Sequence, residues 1–155
     1  AAEPDVLFIA IEMVPDAMVV AMERAQAAGL HNVFFVDGDA ACLPEFFAPG
    51  EVDRIYINFC DPWPRSNQKK RRLTHGNFLR LYRQVLKMGG QIHFKTDNRP
   101  LFDFSLEQFA EAGLKVEDVS YDLHAENRPD NIMTEYERKF SGFGEKINRC
   151  EVIFE

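Results

Sequence analysis

Short apolar runs alternate along the sequence with segments whose apolar residues recur at helical spacing, and this alternation limits the possible folds more than any other feature. Six runs predict strands, at residues 6–11, 32–36, 52–59, 91–96, 114–121 and 148–154, and the second and third are predicted to be buried. Strands that alternate with helices need crossover connections, which are right-handed and join parallel neighbours. We therefore predict an α/β fold with a mostly parallel, doubly wound sheet and helices on both faces.

Proline, glycine and capping residues mark where the helices between these strands begin and end. Pro15 and Pro100 suit first helical turns, because proline lacks the amide hydrogen that a first turn leaves unpaired. The helix that starts at Pro15 is predicted to stop before Gly29. Another helix is predicted to start at a Thr74 cap and to stop at the glycine pair 89–90. The apolar face of that helix is predicted to contain Phe78, Leu81, Tyr82, Val85 and Leu86.

Length and composition place the chain among ordinary folded proteins. Its 155 residues suit one domain, and 46% hydrophobic with 28% charged residues is typical of a globular protein. The sequence has no run of about 18 apolar residues and no signal-peptide layout, so we expect a soluble, cytoplasmic protein. A net charge of -7 excludes a protein that coats nucleic acid by bulk attraction, so any RNA contact must be local. Cys42, Cys60 and Cys150 form no C-x-x-C pair and are predicted to be reduced.

Carboxylates follow several predicted strands, and strand ends are where ligands of doubly wound sheets bind. Glu12 follows the first strand, where a carboxylate can accept hydrogen bonds from both hydroxyls of a nucleotide ribose. A solvated acid near a helix start explains Glu12 equally well. Asp39 can accept from an adenine amine, or can cap the next helical turn, and taken alone the cap is the better interpretation. Asp61 and Asp97 follow two further strands.

The segment DPWPRSNQKKRRL, at residues 61–73, carries the strongest functional signal. Pro62 and Pro64 withhold two amide hydrogens and keep the chain extended on either side of the lone Trp63. A carboxylate such as Asp61 can pair with the amine and ring N–H of guanine, and an aromatic ring beside it can stack on a base. The alternative is a rigid turn that contains a half-buried tryptophan.

A basic run ends this segment and concentrates positive charge in an acidic protein. It consists of Lys69, Lys70, Arg71 and Arg72. Such a run fits contact with a phosphate backbone, although a solvated face before a helix is its ordinary explanation. Because the run shares a loop with Asp61, RNA bound by it would be guided toward that carboxylate.

Near the C-terminus, Thr134-Glu135-Tyr136-Glu137 predicts a capping box at the start of a short helix, residues 134–140. In a capping box the threonine hydroxyl caps the helix and the glutamate three residues later reaches back to the cap. This structural role does not exclude ligand contacts by Glu135, by Tyr136 or by the free amides of the helix start.

Five segments together resemble the bacterial tRNA (guanine-N7)-methyltransferase family, namely FIAIE, DGDA, NFCDPWP with KKRRL, GGQIHFKTDN and MTEYERKF. The resemblance spans nearly the whole chain. It implies a Rossmann-like class I methyltransferase domain, residues 1–155, that uses S-adenosylmethionine to methylate N7 of a guanine in the variable loop of tRNA. The sequence leaves open whether the protein is a monomer or a homodimer.

Carried over residue by residue, the resemblance implies roles for the residues singled out above. Glu12 and Asp39 would hold the adenosyl part of the methyl donor, and Asp61 would border both donor and guanine as the catalytic residue. The implied substrate-binding residues are Arg65, Asp97, Thr134, Glu135, Tyr136 and Glu137. The implied RNA-binding residues are Asn67, Gln68, Lys69, Lys70, Arg71 and Arg72.

Two departures from the family pattern keep alternatives open. Ser66, Asn67 and Gln68 stand where family members often carry basic residues, so RNA affinity is expected to be weaker or differently distributed. No strand with a glycine-rich donor loop precedes Ala1, which predicts a domain that is truncated or incompletely ordered at its N-terminus. The alternatives are an RNA-binding fragment without activity, or another Rossmann-like nucleotide-dependent enzyme such as a dehydrogenase.

Overall fold

The computed structural model describes residues 3–155 and divides the chain into two compact units. We call Ala1–Leu43 the N-terminal unit and Pro44–Glu155 the C-terminal unit. Each unit has its own β-sheet, and the organisation as a single domain stays a prediction. None of the helices in the described residues is long and apolar enough to cross a membrane.

The N-terminal unit is a βαβ motif made of β1 (Phe8–Glu12), α1 (Pro15–Ala27) and β2 (Val33–Asp37). The two strands are parallel, as predicted. Pro15 lies in the first turn of α1, and the chain leaves the helix through Gly29, whose φ is +63°. The strand register sets Glu12 beside Asp37, so the carboxyl ends of β1 and β2 lie side by side at one edge of the sheet.

The N-terminal unit leaves much of its apolar surface exposed. Helix α1 buries none of its residues. Large apolar side chains on α1 and β2, including Val19, Met22 and Phe34, are exposed. Among the described residues, β1 belongs to a two-stranded sheet with β2, so its other edge has no partner strand. This unit therefore has little apolar core of its own.

Four strands form the sheet of the C-terminal unit, namely β3 (Val52–Asn58), β4 (Leu86–Thr96), β5 (Lys115–Ser120) and β6 (Asn148–Phe154). Their order in the sheet is β3-β4-β6-β5. β3 and β4 are parallel, whereas β6 is antiparallel to both β4 and β5. It follows that β3, β4 and β5 run in the same direction, as the prediction of a mostly parallel sheet requires, and that β6 is the reversed strand.

The remaining helices are α2 (Leu43–Phe46), α3 (Gly76–Val85), α4 (Arg99–Glu111) and α5 (Glu135–Ser141). Helix α4 starts as predicted, with Pro100 in its first turn and Asn98 as its cap. The cap forms because Asn98 Oδ1 accepts a hydrogen bond from Leu101 N at 2.8 Å.

Aromatic residues anchor α4 to the centre of this sheet. Phe94 of β4 lies 5.9 Å from Phe102 and 6.4 Å from Phe109, measured between ring centroids. All three side chains are fully buried, and burial of each contributes about 1.5–3 kcal/mol. The core therefore holds the carboxyl end of β4 and the start of α4 in fixed positions.

The prediction that Thr74 caps α3 is wrong. The cap is His75, whose Nδ1 accepts a hydrogen bond from Asn77 N at 3.1 Å. Thr74 is fully buried instead, and its hydroxyl lies 2.7 Å from the hydroxyl of Ser105 on α4. A threonine before a helix suits a cap in sequence terms, but here its hydroxyl bonds to a neighbouring helix.

The end of α3 also differs from its prediction. Leu86, which we predict on the helix, pairs instead with Val52 of β3. The glycine pair that is predicted to end the helix lies instead inside β4, where the strand register shifts. Gly89 has a φ of +73°, and a Cβ added to Gly90 would lie 2.8 Å from the carbonyl oxygen of Lys87. The glycines therefore make a tight irregularity in the strand.

We expect Thr74→Asn to lower the free energy of unfolding by about 1–3 kcal/mol, because a carboxamide with more polar atoms would replace the buried hydroxyl that bonds to Ser105. Asparagine is a good cap, so His75→Asn at the true cap should change this free energy by less than about 1 kcal/mol. Urea unfolding of the two variants and the parent protein measures both effects. Equal stabilities for the two variants would contradict the assignment of the cap to His75.

Candidate active site

Glu12 and Asp39 lie at the carboxyl edge of the sheet in the N-terminal unit. Glu12 Oε1 accepts hydrogen bonds from Met13 N at 2.8 Å and from Val14 N at 2.9 Å. Asp39 Oδ1 accepts one from Ala41 N at 2.8 Å and caps the next turn. The structural interpretations of both acids therefore hold. Each contact uses one oxygen, and a carboxylate has about four acceptor positions, so both acids also fit the hydroxyls and amine of an adenosyl group.

In the C-terminal unit, the pairing of β3 with β4 brings two acidic strand ends together. Asn58 pairs with Lys95, and Phe59 N donates a hydrogen bond to the carbonyl oxygen of Lys95 at 2.9 Å. Asp61 comes two residues after Phe59 and Asp97 two residues after Lys95, so both acids follow the strands at the same edge of the sheet. The Asp61 side chain belongs to an exposed residue and is accessible to a ligand.

The residues after Asp61 form a strained corner. Trp63 has a φ of +41°, in a region that bulky residues rarely adopt and that costs about 1–3 kcal/mol. Arg72 holds this corner: its Nε donates to the carbonyl oxygen of Pro62 at 2.9 Å and its Nη2 to that of Trp63 at 3.0 Å. The predicted rigid turn with a half-buried tryptophan is therefore present, and it leads directly from an exposed carboxylate.

The sequence predicts a loop for the basic run, but its first three residues belong to a 3₁₀ helix, Ser66–Arg71, which follows Arg65. Arg65, Asn67, Lys69, Lys70 and Arg71 are exposed, and Gln68 is half-buried. The guanidinium of Arg71 lies 4.1 Å from the ring centroid of Trp63. Arg72, in contrast, is buried. The structure thus exposes most of the predicted RNA-binding residues beside the corner.

Helix α5 begins with the predicted capping box. Glu137 N donates to the Thr134 hydroxyl at 3.1 Å, and Thr134 N donates to Glu137 Oε2 at 3.4 Å. The ring of Tyr136 packs 4.7 Å from that of Phe59, which places the start of α5 beside the end of β3. Burial, and then the charge and hydrogen bond of Asp97, raise the pKa of Tyr136. Three predicted substrate-binding residues, Asp97, Thr134 and Tyr136, therefore meet at this edge.

Glu137 lies beneath this helix start and is fully buried. Its carboxylate lies 3.2 Å from Lys95 Nζ and 3.1 Å from His124 Nε2. Asn131 Nδ2 donates to it at 2.8 Å. Through these contacts the Glu137 side chain holds the start of α5 in place from inside the protein. Lys95, His124 and Asn131 are not among the site residues predicted from the sequence, and only the position of Lys95 at the end of a predicted strand could have indicated a role for it.

An ion-pair network holds the long segment between β5 and α5. Arg128 in this segment pairs with Asp118 of β5 and with Asp130. The hydrogen bond from Arg128 lowers the pKa of Asp118. The buried Arg149 of β6 adds a further ion pair to Asp118, at 2.9 Å. The segment has no regular structure, so these charges fix the path of the chain toward α5.

The cysteine beside the site is unsuited to nucleophilic chemistry. Burial raises the pKa of Cys60 to about 12, and the charge of Asp61 adds to that effect. Cys42, Cys60 and Cys150 are all free thiols, as predicted. The site therefore offers carboxylates, a tyrosine, a tryptophan and nearby cations, a set that can bind a purine and phosphates and can stabilise developing positive charge.

The chain is similar in sequence to known methyltransferases. A family model described as "Putative methyltransferase" matches residues 1–150. The tRNA (guanine-N(7)-)-methyltransferase of Bacillus subtilis (strain 168) is 49% identical over 149 residues, which cover 96% of this chain and 70% of that protein. The protein of the same name from Halalkalibacterium halodurans is 50% identical over 151 residues, which cover 97% of this chain and 69% of that protein.

The chain is also similar in fold to solved structures. The crystal structure of a SAM-dependent methyltransferase from Aquifex aeolicus matches with a TM-score of 0.62, covering 96% of this chain and 69% of that chain. The two sequences are only 14% identical, so this similarity is one of fold alone. It confirms the prediction of the Rossmann-like class I methyltransferase fold.

We expect Lys95→Met to destabilise the protein by about 3 kcal/mol, because it removes the cation paired with a buried carboxylate. Adding Glu137→Gln should restore at least about half of that loss, since the remaining buried group is then uncharged. Urea unfolding of the single and double variants measures the coupling. Strictly additive losses would show that Lys95 and Glu137 do not stabilise each other.

Proposed function

Because the chain belongs to the tRNA (guanine-N7)-methyltransferase family, we propose that Asp61 is its catalytic residue and that the basic segment after it receives the RNA. The activity is transfer of a methyl group from S-adenosylmethionine to N7 of a guanine in tRNA. The observation that carries the proposal is an exposed carboxylate at the carboxyl end of β3, held next to Trp63 and to exposed cations.

Glu12 and Asp39 are the residues proposed to hold the adenosyl part of S-adenosylmethionine. When bound, this molecule supplies a methyl group on a positively charged sulfur. Both acids lie at the carboxyl edge of the N-terminal unit's sheet and keep acceptor capacity beyond their backbone hydrogen bonds. Carboxylates at this edge bind ribose hydroxyls in doubly wound folds, which supports the assignment.

The chemistry of guanine N7 explains why a carboxylate suffices. N7 has an in-plane lone pair and no proton, so it forms the bond to the methyl carbon, as the sulfur–methyl bond breaks, without a general base. Positive charge then appears on the purine. A fixed Asp61 near the guanine edge stabilises that charge more than it stabilises the neutral base, and this difference lowers the barrier. Positioning of the base supplies much of the remaining acceleration.

The substrate-binding residues are proposed around the same edge. Asp97 and Tyr136 contact each other there, and Thr134 starts the neighbouring helix. We propose that these groups and the exposed Arg65 and Glu135 contact the guanine and its nucleotide, taken from the variable loop of tRNA.

Glu137 is proposed to support substrate binding indirectly, by holding α5 in position. Its carboxylate is fully buried and is already bonded by Lys95 and Asn131. We further propose a cytoplasmic location, where tRNA is available, and leave monomer and homodimer as predictions.

The RNA-binding segment is proposed at residues 67–71, because Arg72, which the resemblance also implied, is buried. Lys69 and Lys70 are exposed, so their ammonium groups can approach phosphates. Arg71 is exposed as well and already stacks on Trp63, so an RNA strand that contacts it would pass beside the corner. A phosphate backbone held here would bring its bases toward Asp61.

We expect Asp61→Asn to keep the fold and to lower single-turnover methyl transfer by at least about tenfold, because it removes the fixed negative charge. Asp53→Asn is the matched control, since Asp53 is an exposed carboxylate near the opposite end of the same strand. Transfer of a labelled methyl group to tRNA measures the rate, and circular dichroism checks the fold. Unchanged transfer by Asp61→Asn would refute the catalytic assignment.

Replacing Lys69 and Lys70 with alanine should weaken tRNA binding and reduce its dependence on salt. Each phosphate contact contributes about one unit of slope in a plot of log affinity against log salt concentration. The rate at saturating tRNA should stay within about twofold, because these lysines position the strand without contacting the reacting atoms. Filter binding at several salt concentrations measures the slope. An unchanged slope would show that the basic run is a solvent-exposed surface that does not contact RNA.

A further inference from the structure

Arg72 differs from the other residues of the basic run because its charged group lies inside the protein. Only 7% of Arg72 is exposed, whereas Lys69, Lys70 and Arg71 lie on the surface. An arginine whose guanidinium is inside the protein cannot offer that charge to a phosphate. The four basic residues, adjacent in sequence, therefore do not form one uniform cationic patch.

The guanidinium of Arg72 binds the backbone of the catalytic corner. Nε donates to the carbonyl oxygen of Pro62 at 2.9 Å, and Nη2 donates to that of Trp63 at 3.0 Å. A planar fork reaches two successive carbonyls in this way, and a lysine ammonium lacks the fixed geometry to replace it.

The same guanidinium is backed by helix α4. It lies 4.3 Å from the ring centroid of Phe104, which is a half-buried residue of that helix. Arg72 thus connects three parts of the C-terminal unit: the corner after β3, the end of the basic 3₁₀ helix, and α4. Since α4 is fixed to the core through Phe102 and Phe109, the corner is tied to a rigid element.

The corner needs such a contact because its own backbone offers few hydrogen-bond donors and is strained. Pro62 and Pro64 have no amide hydrogen to donate, and Trp63 has a φ of +41°. A strained conformation persists only where the surrounding structure fixes it. Without the Arg72 fork, the two carbonyl groups would lose their donors and the corner could relax. Asp61 precedes Pro62 directly, so its carboxylate would move with the corner.

We infer that Arg72 is a positioning residue, which holds the Pro62–Trp63 backbone and thereby the carboxylate of Asp61, and that it does not contact RNA. The inference rests on the proposed role of Asp61. It divides the basic run by function: Lys69 and Lys70 attract phosphates, Arg71 covers the outer face of Trp63, and Arg72 sets the geometry of the reaction site.

The test is Arg72→Lys, which keeps the charge and removes the fork. We expect kcat to fall by at least about tenfold, because a small misplacement of a catalytic group costs that much or more. The KM for tRNA and the salt slope of tRNA binding should stay at the parent values. Arg83→Lys makes the same exchange at an exposed arginine of α3 and is the matched control, so its kcat, KM and salt slope should all stay at the parent values.

A second readout does not depend on the reaction. Trp63 is the only tryptophan in the sequence, so its fluorescence reports on the corner alone. In protein without tRNA, Arg72→Lys should shift the emission of Trp63 and increase its quenching by acrylamide. If that variant does not fold, Phe104→Leu removes the ring behind the guanidinium and should change emission and kcat in the same direction.

Two results would overturn the inference. A reduced salt slope with an unchanged kcat in Arg72→Lys would make Arg72 an RNA contact like its neighbours. Unchanged Trp63 emission and quenching would show that Arg72 does not hold the corner. Failure of the proposed function is separate, since it would appear as full activity in Asp61→Asn while the Trp63 fluorescence of Arg72→Lys still reported the backbone contact.

Discussion

The parallel pairing of β3 with β4 is the interaction on which the site in the C-terminal unit depends. It sets Asn58 beside Lys95 and bonds Phe59 N to the Lys95 carbonyl, so the chain leaves both strands at one edge. Asp61 and Asp97 are brought to that edge by this ladder. Side-chain burial fixes such a register strongly, because a slip of one residue would turn every buried side chain outward. The position of the acids is therefore as stable as the sheet.

Buried charged side chains hold the rest of the site in position. Glu137 is buried with Lys95, and the two join α5 to the carboxyl end of β4. A buried ion pair of this kind adds little net stability, because removing both charges from water costs about as much as their attraction returns. It does fix one arrangement, since either charge left alone would be unfavourable. Arg72 acts similarly at the corner, where a buried cation satisfies two carbonyl groups.

The sequence predicted the six strands, the mostly parallel pairing and the acids that follow the strands, because these depend on local periodicity and on the residues that interrupt it. Its errors arose where a tertiary contact or strand pairing overrode a local signal. Thr74 was assigned to a cap because caps are local, but its hydroxyl bonds to Ser105 on another helix. The glycine pair before residue 91 was assigned to a helix end, whereas the bulge in β4 requires it.

By itself, the sequence determined the fold class, the family and the identity of the chemical groups, because apolar spacing and a contiguous motif are properties of neighbouring residues. Only the tertiary structure decided which charges face the solvent. Arg71 and Arg72 are adjacent and chemically alike, yet one stacks on the outside of Trp63 and the other binds its backbone from within. That distinction depends on Phe104 and on the strained φ of Trp63. Neither can be recognised from four consecutive basic residues.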